Sequence, residues 1–154
     1  MNTLIEQNKS IALRFAEQGW GNVDGWEKVW DELVAEDIVL HFCSWSEPIV
    51  ELEANKKFNA SLFQGFPDIQ QTVEDVIAEG NRVVFRATLK GTHTGEFMGI
   101  PPTGKQVNVN GINLLRISQG KIVEWWYELN QLEVITQLGA LQSWSSYRQK
   151  YTIR

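Results

Sequence analysis

The chain has 154 residues, a formal net charge of −5 and a hydrophobic content of 43%, which together predict one globular domain with a substantial core. The negative charge, without a lysine or arginine cluster, argues against a nucleic-acid partner, because phosphate binding needs a basic surface. A single cysteine, Cys43, excludes an internal disulfide and favours a small buried side chain over a nucleophile. No apolar run suits a signal peptide or a membrane span, so the sequence predicts a cytoplasmic protein without a membrane partner.

The first part of the chain predicts helices around one short strand. Apolar side chains at helical spacing predict three helices, over residues 3–18, 25–34 and 51–64. Gly19 can end the first helix, and Asp24 can cap the second. Residues 39–43 predict a strand in which His41 is more typical of a structural than of a catalytic role. A loop follows over residues 46–50.

The second half predicts long strands. Pro67 stops the third helix, and extended patterns then occupy residues 69–79, 82–92, 106–117 and 122–129. Gly80-Asn81 tolerates positive φ and predicts a hairpin between the first two of these strands. Gly111 indicates a bend or the close approach of another group. Residues 131–138 are helical or form a tight turn.

A glycine- and proline-rich loop over residues 93–104 separates the second and third of these long strands. Pro101-Pro102 lacks backbone donors, so the stretch cannot continue a strand. Apolar loop residues such as Phe97 suit a lid over a sheet opening or a dimer contact. His93 opens the loop, and an imidazole can transfer protons near neutral pH, although a turn histidine bonded to nearby backbone is the plainer interpretation.

Helices gathered early and strands gathered late favour an α+β domain over an alternating α/β fold. Short motifs spread along the chain carry a further signal. They are Phe66-Pro67-Asp68, Val73-Glu74-Asp75, Glu79 to Val84, Gly91 to Lys105, Arg116-Ile117, Gly120 to Trp126 and Gln137-Leu138-Gly139. In these motifs the chain resembles the SnoaL-like polyketide cyclase family, also called the ester cyclase family, of the nuclear-transport-factor-2-like (NTF2-like) superfamily.

The resemblance covers the chain from the first helix to about Leu141. It implies a strongly bent antiparallel sheet that forms a cone, with about three helices enclosing a cavity. We therefore expect a domain over residues 1–141 and an aromatic tail over 142–154 that packs on the domain or on a partner subunit. We also expect a homodimer formed through sheet faces.

The last long strand carries the polar residues of greatest interest. Glu124, Trp126, Glu128 and Asn130 share one face if no bulge intervenes. Members of the resembled family often carry an aspartate where Asn130 stands, and it is taken as the acid/base of an intramolecular aldol condensation. An amide has no proton to exchange near neutral pH, so Asn130 can orient a carbonyl but cannot replace that aspartate. Glu124, Glu128 or His93 then supplies the base, or the protein binds without turnover.

Two further observations bear on ligand binding. Glu124 has an alternative use as a structural carboxylate paired to Arg116 on the adjacent strand. The seven tryptophans suit either a large core or an aromatic-lined pocket for a flat, apolar ligand. The residues that we predict to line such a pocket are Trp26, Trp30, Trp45, Phe97, Asn110 and Trp126.

The sequence lacks the motifs that several other kinds of functional site require. There is no phosphate-binding glycine loop after a strand, no paired-cysteine metal spacing and no glycine-flanked nucleophilic serine. His41 and His93 alone do not predict a metal site.

The first functional hypothesis is a SnoaL-like cyclase or isomerase-type enzyme that works by proton transfer, without metal or organic cofactor, on a small apolar ketone or ester. The second is a non-catalytic protein that binds such a molecule in the cavity, and the third is an interaction protein that uses the aromatic tail.

Overall fold

A computed structural model describes residues 3–43 and 45–140, which form four α-helices and one six-stranded sheet. In chain order the elements are α1 (Leu4–Gln18), α2 (Trp26–Leu33), β1 (Val34–Phe42), β2 (Ile49–Val50), α3 (Leu52–Gly65), β3 (Gln70–Glu79), β4 (Arg82–Thr92), β5 (Gln106–Ser118), β6 (Lys121–Leu129) and α4 (Gln131–Gln137). The predicted tail over 142–154 lies outside the described residues.

The sheet is mixed, with the strand order β2-β1-β6-β5-β4-β3. β1 pairs with β6 in parallel, and every other pair of neighbours is antiparallel. The α+β class is confirmed, and the sheet is antiparallel as expected except at this one pair. Hairpins force antiparallel neighbours, whereas β1 and β6 are far apart in sequence and no hairpin fixes their relative direction.

The meander from β3 to β6 follows the predicted pattern. Gly80 adopts φ +58° between β3 and β4, which confirms the predicted hairpin. The alternating apolar side chains of β4, from Val83 to Leu89, are buried. We call the face of the sheet that buries them the inner face, and the opposite one the outer face.

The helices cover the inner face. α1 packs on β3 and β4, α2 on β1 and β6, α3 on β1 and β2, and α4 on β5. Thr3 caps α1 by accepting the backbone N–H of Glu6 at 3.2 Å. None of the helices among the described residues is long and apolar enough to cross a membrane.

Two local expectations are wrong. Gly25, in the left-handed conformation at φ +81°, precedes α2, so Asp24 is not its cap. The predicted loop at 46–50 contains β2, which pairs with β1 through Val50 and Ile49. A two-residue strand is too short to show a period-two pattern, so the sequence gives no signal for it.

Candidate functional site

An apolar cavity lies between the inner face and the elements that cover it. Its volume is about 40 Å³, and twelve described residues line it: Trp20, Leu62, Phe63, Phe66, Ile69, Leu89, Phe97, Val107, Val109, Tyr127, Leu129 and Val134. A cavity of this volume has room for about one water molecule, whereas a pocket for a drug-sized ligand has roughly 300–1,000 Å³. A larger ligand therefore has to displace part of this wall.

Tyr127 brings a hydroxyl group into the apolar wall. Its side chain is 1% exposed, and the hydroxyl has no hydrogen-bond partner among the described residues. Burial, with a smaller contribution from the nearby Cys43, raises the pKa of the Tyr127 phenol far above its ordinary range. Tyr127 is therefore a neutral hydrogen-bond donor that cannot serve as a base.

Gly111 makes the position of the Tyr127 ring possible. A Cβ at position 111 would lie 3.0 Å from Cε2 of Tyr127 and 3.4 Å from the carbonyl oxygen of Glu128. The close approach predicted for Gly111 is thus confirmed, and the approaching group is the tyrosine ring.

Trp20 supplies a second donor in the same wall. Its Nε1 is buried without a partner among the described residues, while its ring packs edge-on against Phe63 at 5.2 Å. Two other buried indoles are satisfied: Nε1 of Trp30 donates to the carbonyl of Gly19 at 2.6 Å, and Nε1 of Trp125 donates to Oδ1 of Asn113 at 2.8 Å. Since buried polar groups in proteins are nearly always paired, the orphaned Trp20 N–H is a candidate contact for a ligand.

His93 lies directly behind the wall, fully buried against two of its rings. The centroid of the imidazole is 5.2 Å from that of Phe66 and 6.4 Å from that of Phe97. Its Nδ1 lies 3.2 Å from the backbone nitrogen of Thr103 and 2.9 Å from Oγ1 of the same residue. The bond to backbone anticipated for a turn histidine is therefore present.

The same contact fixes the tautomer of the neutral ring. A backbone N–H can only donate, so Nδ1 of His93 accepts and the proton of the neutral imidazole is on Nε2. Nε2 is buried without a partner among the described residues. His93 is thus a third unpaired donor, and its Nε2 has no free lone pair with which to act as a base.

The carboxylates of β6 lie on the outer face. A register shift precedes Glu124, and from there Glu124, Trp126 and Glu128 alternate with the buried Trp125 and Tyr127. These outward positions place both carboxylates on the opposite side of the sheet from the cavity.

Glu124 belongs to an ion-pair cluster on that face. Its Oε2 lies 2.7 Å from Nε2 of His41, and its Oε1 lies 3.0 Å from a terminal nitrogen of Arg116. The pairing with Arg116 that the sequence offered as an alternative is confirmed. Partial burial alone would raise the pKa of Glu124, but the hydrogen bonds from His41 and Arg116 outweigh burial and lower the pKa below its ordinary value.

Comparisons with known proteins agree on one family. The family model of the SnoaL-like polyketide cyclases matches residues 10–138. The chain belongs to the SnoaL-like polyketide cyclase family. No protein of curated function matches the sequence.

Solved structures share the fold of this SnoaL-like chain. A candidate SnoaL-like polyketide cyclase from Jannaschia sp. CCS1 is 36% identical, with a TM-score of 0.86, over 92% of this chain and 98% of its own. IdmH, a candidate polyketide cyclase from Streptomyces antibioticus, is 29% identical, with a TM-score of 0.74, over 86% and 99%. AclR, a candidate hydroxylase from Streptomyces galilaeus, is 29% identical, with a TM-score of 0.72, over 89% and 98%. The resemblance and the NTF2-like fold predicted from sequence are confirmed.

The residue predicted to stand at the family's acid/base position has a structural use in this SnoaL-like protein. Asn130 is exposed and caps α4, where its Oδ1 accepts the backbone N–H of Glu133 at 3.1 Å. Glu128 is exposed on the outer face. The proton-transfer roles predicted for Asn130, Glu124 and Glu128 stay untested, and none of the three residues lines the cavity.

Of the six residues predicted to line a pocket, Phe97 lines the cavity. Trp30 is fully buried in the core, where Trp26 packs edge-on against it at 5.9 Å. Trp45 is 47% exposed and covers Phe42, and Asn110 and Trp126 lie on the outer face. None of these five residues lines the cavity, so their contact with a ligand stays a prediction.

Sequence reasoning missed Trp20 and Tyr127 as cavity residues. For Tyr127 a signal exists, because it belongs to the apolar alternation of β6 and carries a hydroxyl on that face. For Trp20, which follows the end of α1, we find no sequence signal. Among the described residues, no group of three or more His, Cys, Asp or Glu side chains is placed to hold a metal ion.

Proposed function

We propose that this SnoaL-like protein binds a small apolar molecule with a ketone or ester oxygen in the cavity and promotes ring closure or isomerisation by polarising that oxygen. The observation that carries the proposal is the buried hydroxyl of Tyr127, a residue that lines the cavity, because this hydroxyl has no hydrogen-bond partner among the described residues. An unsatisfied buried hydroxyl costs about 1–3 kcal/mol of stability. A ligand oxygen that accepts its hydrogen bond would recover that cost.

The chemistry that suits neutral donors is stabilisation of a developing oxyanion. When a proton leaves the carbon beside a carbonyl, the electron pair of the broken C–H bond moves toward the carbonyl oxygen. A hydrogen bond from Tyr127 becomes stronger as that charge develops, and more so in an apolar cavity than in water. Trp20, which also lines the cavity, can support the same oxygen or a second one, because it too presents only an N–H.

The described wall offers no carboxylate and no imidazole with a free lone pair. In this proposal the proton is therefore taken by a water molecule that enters the cavity with the substrate. The protein lowers the barrier through electrostatic stabilisation of the developing oxyanion rather than through a base of its own.

Ligand entry requires a movable part of the wall, and the loop between β4 and β5 supplies it. The backbone N–H groups of Thr94 and Gly95 donate to the carbonyl of Gly65 and hold the base of the loop. The tip is a two-residue turn in which Phe97 and Ile100 exchange backbone hydrogen bonds. Phe97 is the wall residue on this tip, so we propose that it moves outward to admit the ligand.

Binding without turnover is the second candidate function. The wall that supports the first function also favours the second, because it contains donors but no base among the described residues. Both candidates require Tyr127 to contact the ligand, so the test has to separate binding from proton removal.

The experiment compares the native protein with Tyr127→Phe and with Glu128→Gln, using an aromatic β-keto ester as the probe. Tryptophan fluorescence measures binding, and NMR measures deuterium exchange at the carbon between the two carbonyl groups. We expect the native protein to accelerate exchange, Tyr127→Phe to lose about 100-fold of that acceleration, and Glu128→Gln to match the native protein.

The outcomes distinguish the two functions. Tight binding that depends on Tyr127, without accelerated exchange, would support the binding protein. Accelerated exchange that survives in Tyr127→Phe but disappears in Glu128→Gln would contradict the assignment of the site to the cavity.

A further inference from the structure

The buried face of α3 carries two asparagines where apolar side chains are expected. Asn55, Asn59 and Phe63 follow one another at four-residue spacing, so they form one stripe along the helix, and each is at most 4% exposed. Phe63 lines the cavity. A polar side chain buried this deeply needs a hydrogen-bond partner or a functional reason, because an unsatisfied buried group is costly.

Asn55 has a structural explanation. Its Nδ2 donates to the backbone carbonyls of Ile49 at 3.0 Å and of Glu51 at 2.9 Å. Ile49 belongs to β2, so the amide of Asn55 ties this short edge strand to the first turn of α3. These two bonds account for an asparagine at position 55.

Asn59 has no such explanation. Its Nδ2 donates to the backbone carbonyl of Asn55 at 2.9 Å, and in an α-helix that carbonyl already accepts the N–H of the residue four positions later. A carbonyl can only accept, so the atom that faces it is Nδ2, and the remaining polar atom is Oδ1. This Oδ1 is buried without a partner among the described residues. Asn59 therefore holds a hydrogen-bond acceptor that no described residue uses.

The position of Asn59 on α3 is next to the cavity wall. Leu62 and Phe63, three and four residues later, are both wall residues. Side chains at these two spacings are neighbours on a helix surface. Asn59 thus lies one helical turn from the part of α3 that lines the cavity.

The residue before Asn59 links this turn of α3 to Tyr127. The ring centroid of Phe58 lies 4.9 Å from that of Phe42 on β1. The centroid of Phe42 lies in turn 5.6 Å from that of Tyr127, with which Phe42 is in register. The middle of α3 therefore lies over the part of the sheet that contains Tyr127.

We propose that Asn59 determines specificity by accepting a hydrogen bond from a hydroxyl group of the ligand, so that the preferred substrate class is a hydroxylated ketone or ester. This inference rests on the proposed function, in which the carbonyl oxygen of the same ligand accepts from Tyr127. The cavity has to enlarge for any such ligand, and enlargement past Phe63 uncovers the turn of α3 that contains Asn59. A ligand hydroxyl would then satisfy the buried Oδ1.

The test compares the affinities of matched ligands. The probes are the aromatic β-keto ester and its three analogues with one phenolic hydroxyl at the ortho, meta or para position, titrated by tryptophan fluorescence. We expect the native protein to bind one analogue at least about tenfold more tightly than the parent ester, because a site built around a hydroxyl leaves its acceptor unpaired when the hydroxyl is missing.

Two substitutions remove the acceptor in different ways. Asn59→Leu keeps the branched shape of the side chain, and Asn59→Ala adds no volume to the core. In both variants we expect the ratio between the affinities for the analogue and for the parent ester to fall to about one. A purely structural role of Asn59 would change stability but not this ratio.

Asn55→Leu is the matched control, because it makes the same change one turn earlier on the same stripe. Without a ligand it should lower the melting temperature, because the bond to the carbonyl of Ile49 is lost. It should keep the preference of the native protein for the hydroxylated analogue.

The outcomes separate this inference from the proposed function. If the native protein binds the parent ester in a Tyr127-dependent manner but binds no hydroxylated analogue more tightly, the inference alone is overturned. A preference that survives in both variants of Asn59, or that is lost in Asn55→Leu only, overturns it too. If the native protein binds none of these esters, the proposed function and this inference both fail.

Discussion

The two faces of β6 differ in the chemistry that they offer. On the inner side Tyr127 lines an apolar cavity and carries a neutral, buried hydroxyl that has no partner among the described residues. On the outer side Glu124 is already held by His41 and Arg116, and Glu128 is open to solvent. Adjacent residues of β6 therefore belong to different environments, and the two carboxylates of this strand are separated from the cavity by the thickness of the sheet.

A polar side chain on a strand therefore marks a site only when the face that carries it is known. Carboxylates attract attention as acids and bases, yet their most stable place is the solvated face, because burying a charge without a partner is expensive. The inner face can keep a tyrosine at a smaller cost, because a neutral hydroxyl loses less on burial than a charge does. A neutral donor is thus the polar group that an apolar cavity most readily carries.

The largest expected effect concerns the inner wall. Phe97→Ala should lower the free energy of unfolding by about 3 kcal/mol, because it removes a ring that packs against Phe66 and leaves a larger cavity. The same change should allow larger ligands to bind. Chemical denaturation and ligand titration measure the two effects.

The control for that change lies one residue away. Met98 is 47% exposed and adopts φ +48°, a conformation that glycine tolerates better. Met98→Gly should leave stability unchanged or raise it by up to about 1 kcal/mol. Equal losses from the two substitutions would mean that the loop as a whole, and not the Phe97 ring, supports the wall.

A smaller effect is expected at the contact between β5 and Tyr127. Gly111→Ala should cost about 1–2 kcal/mol and weaken ligand binding, because the new methyl group would lie 3.0 Å from the tyrosine ring. Thermal unfolding measures the loss of stability, and fluorescence titration measures the loss of ligand affinity.

A double-mutant cycle isolates that contact. In the background of Tyr127→Leu, Gly111→Ala should no longer be destabilising, because the ring that it pushes is absent. If Gly111→Ala destabilised the Tyr127→Leu protein as much as it destabilises the native protein, the strain would not arise at the tyrosine ring.

The smallest effect belongs to the outer face. The pKa of Glu124 is lowered in the folded state, so its ion pairs stabilise the protein above the unfolded pKa of about 4.3 and are lost as pH falls through the folded pKa. Glu124→Gln should therefore lower the free energy of unfolding by about 0.5–1 kcal/mol near neutral pH and leave it unchanged in strong acid. Denaturation at a series of pH values tests this, and equal losses at every pH would show that the ion pairs contribute nothing.

Local signals predicted most of the fold. The alternation in β4 and Gly80-Asn81 defined the first long hairpin, and helical spacing defined α1 within one residue at its start. The parallel pairing of β1 with β6 could not be predicted this way, since it joins an early strand to the last one and depends on tertiary packing.

The site was predicted less well. The alternation of β6 correctly divided Glu124, Trp126 and Glu128 from Trp125 and Tyr127, but it does not say which set points inward. Sequence analysis favoured the polar set, whereas the packing of Trp125 against Phe15 and Trp30 shows that the aromatic set is buried. Whether the buried donors of Trp20, His93 and Tyr127 find partners depends on packing in three dimensions, and no sequence pattern reports that none of them does so among the described residues.

The most direct test of the inner-face assignment is the free energy of unfolding of Tyr127→Phe, measured with and without the aromatic β-keto ester. Without the ligand, the variant should be about 1 kcal/mol more stable than the native protein, because a buried unpaired hydroxyl is removed. With the ligand, it should gain less stability than the native protein gains. If the variant were less stable than the native protein without the ligand, the hydroxyl would already be paired. If the ligand also stabilised the variant as much as it stabilises the native protein, Tyr127 would not hold the ligand.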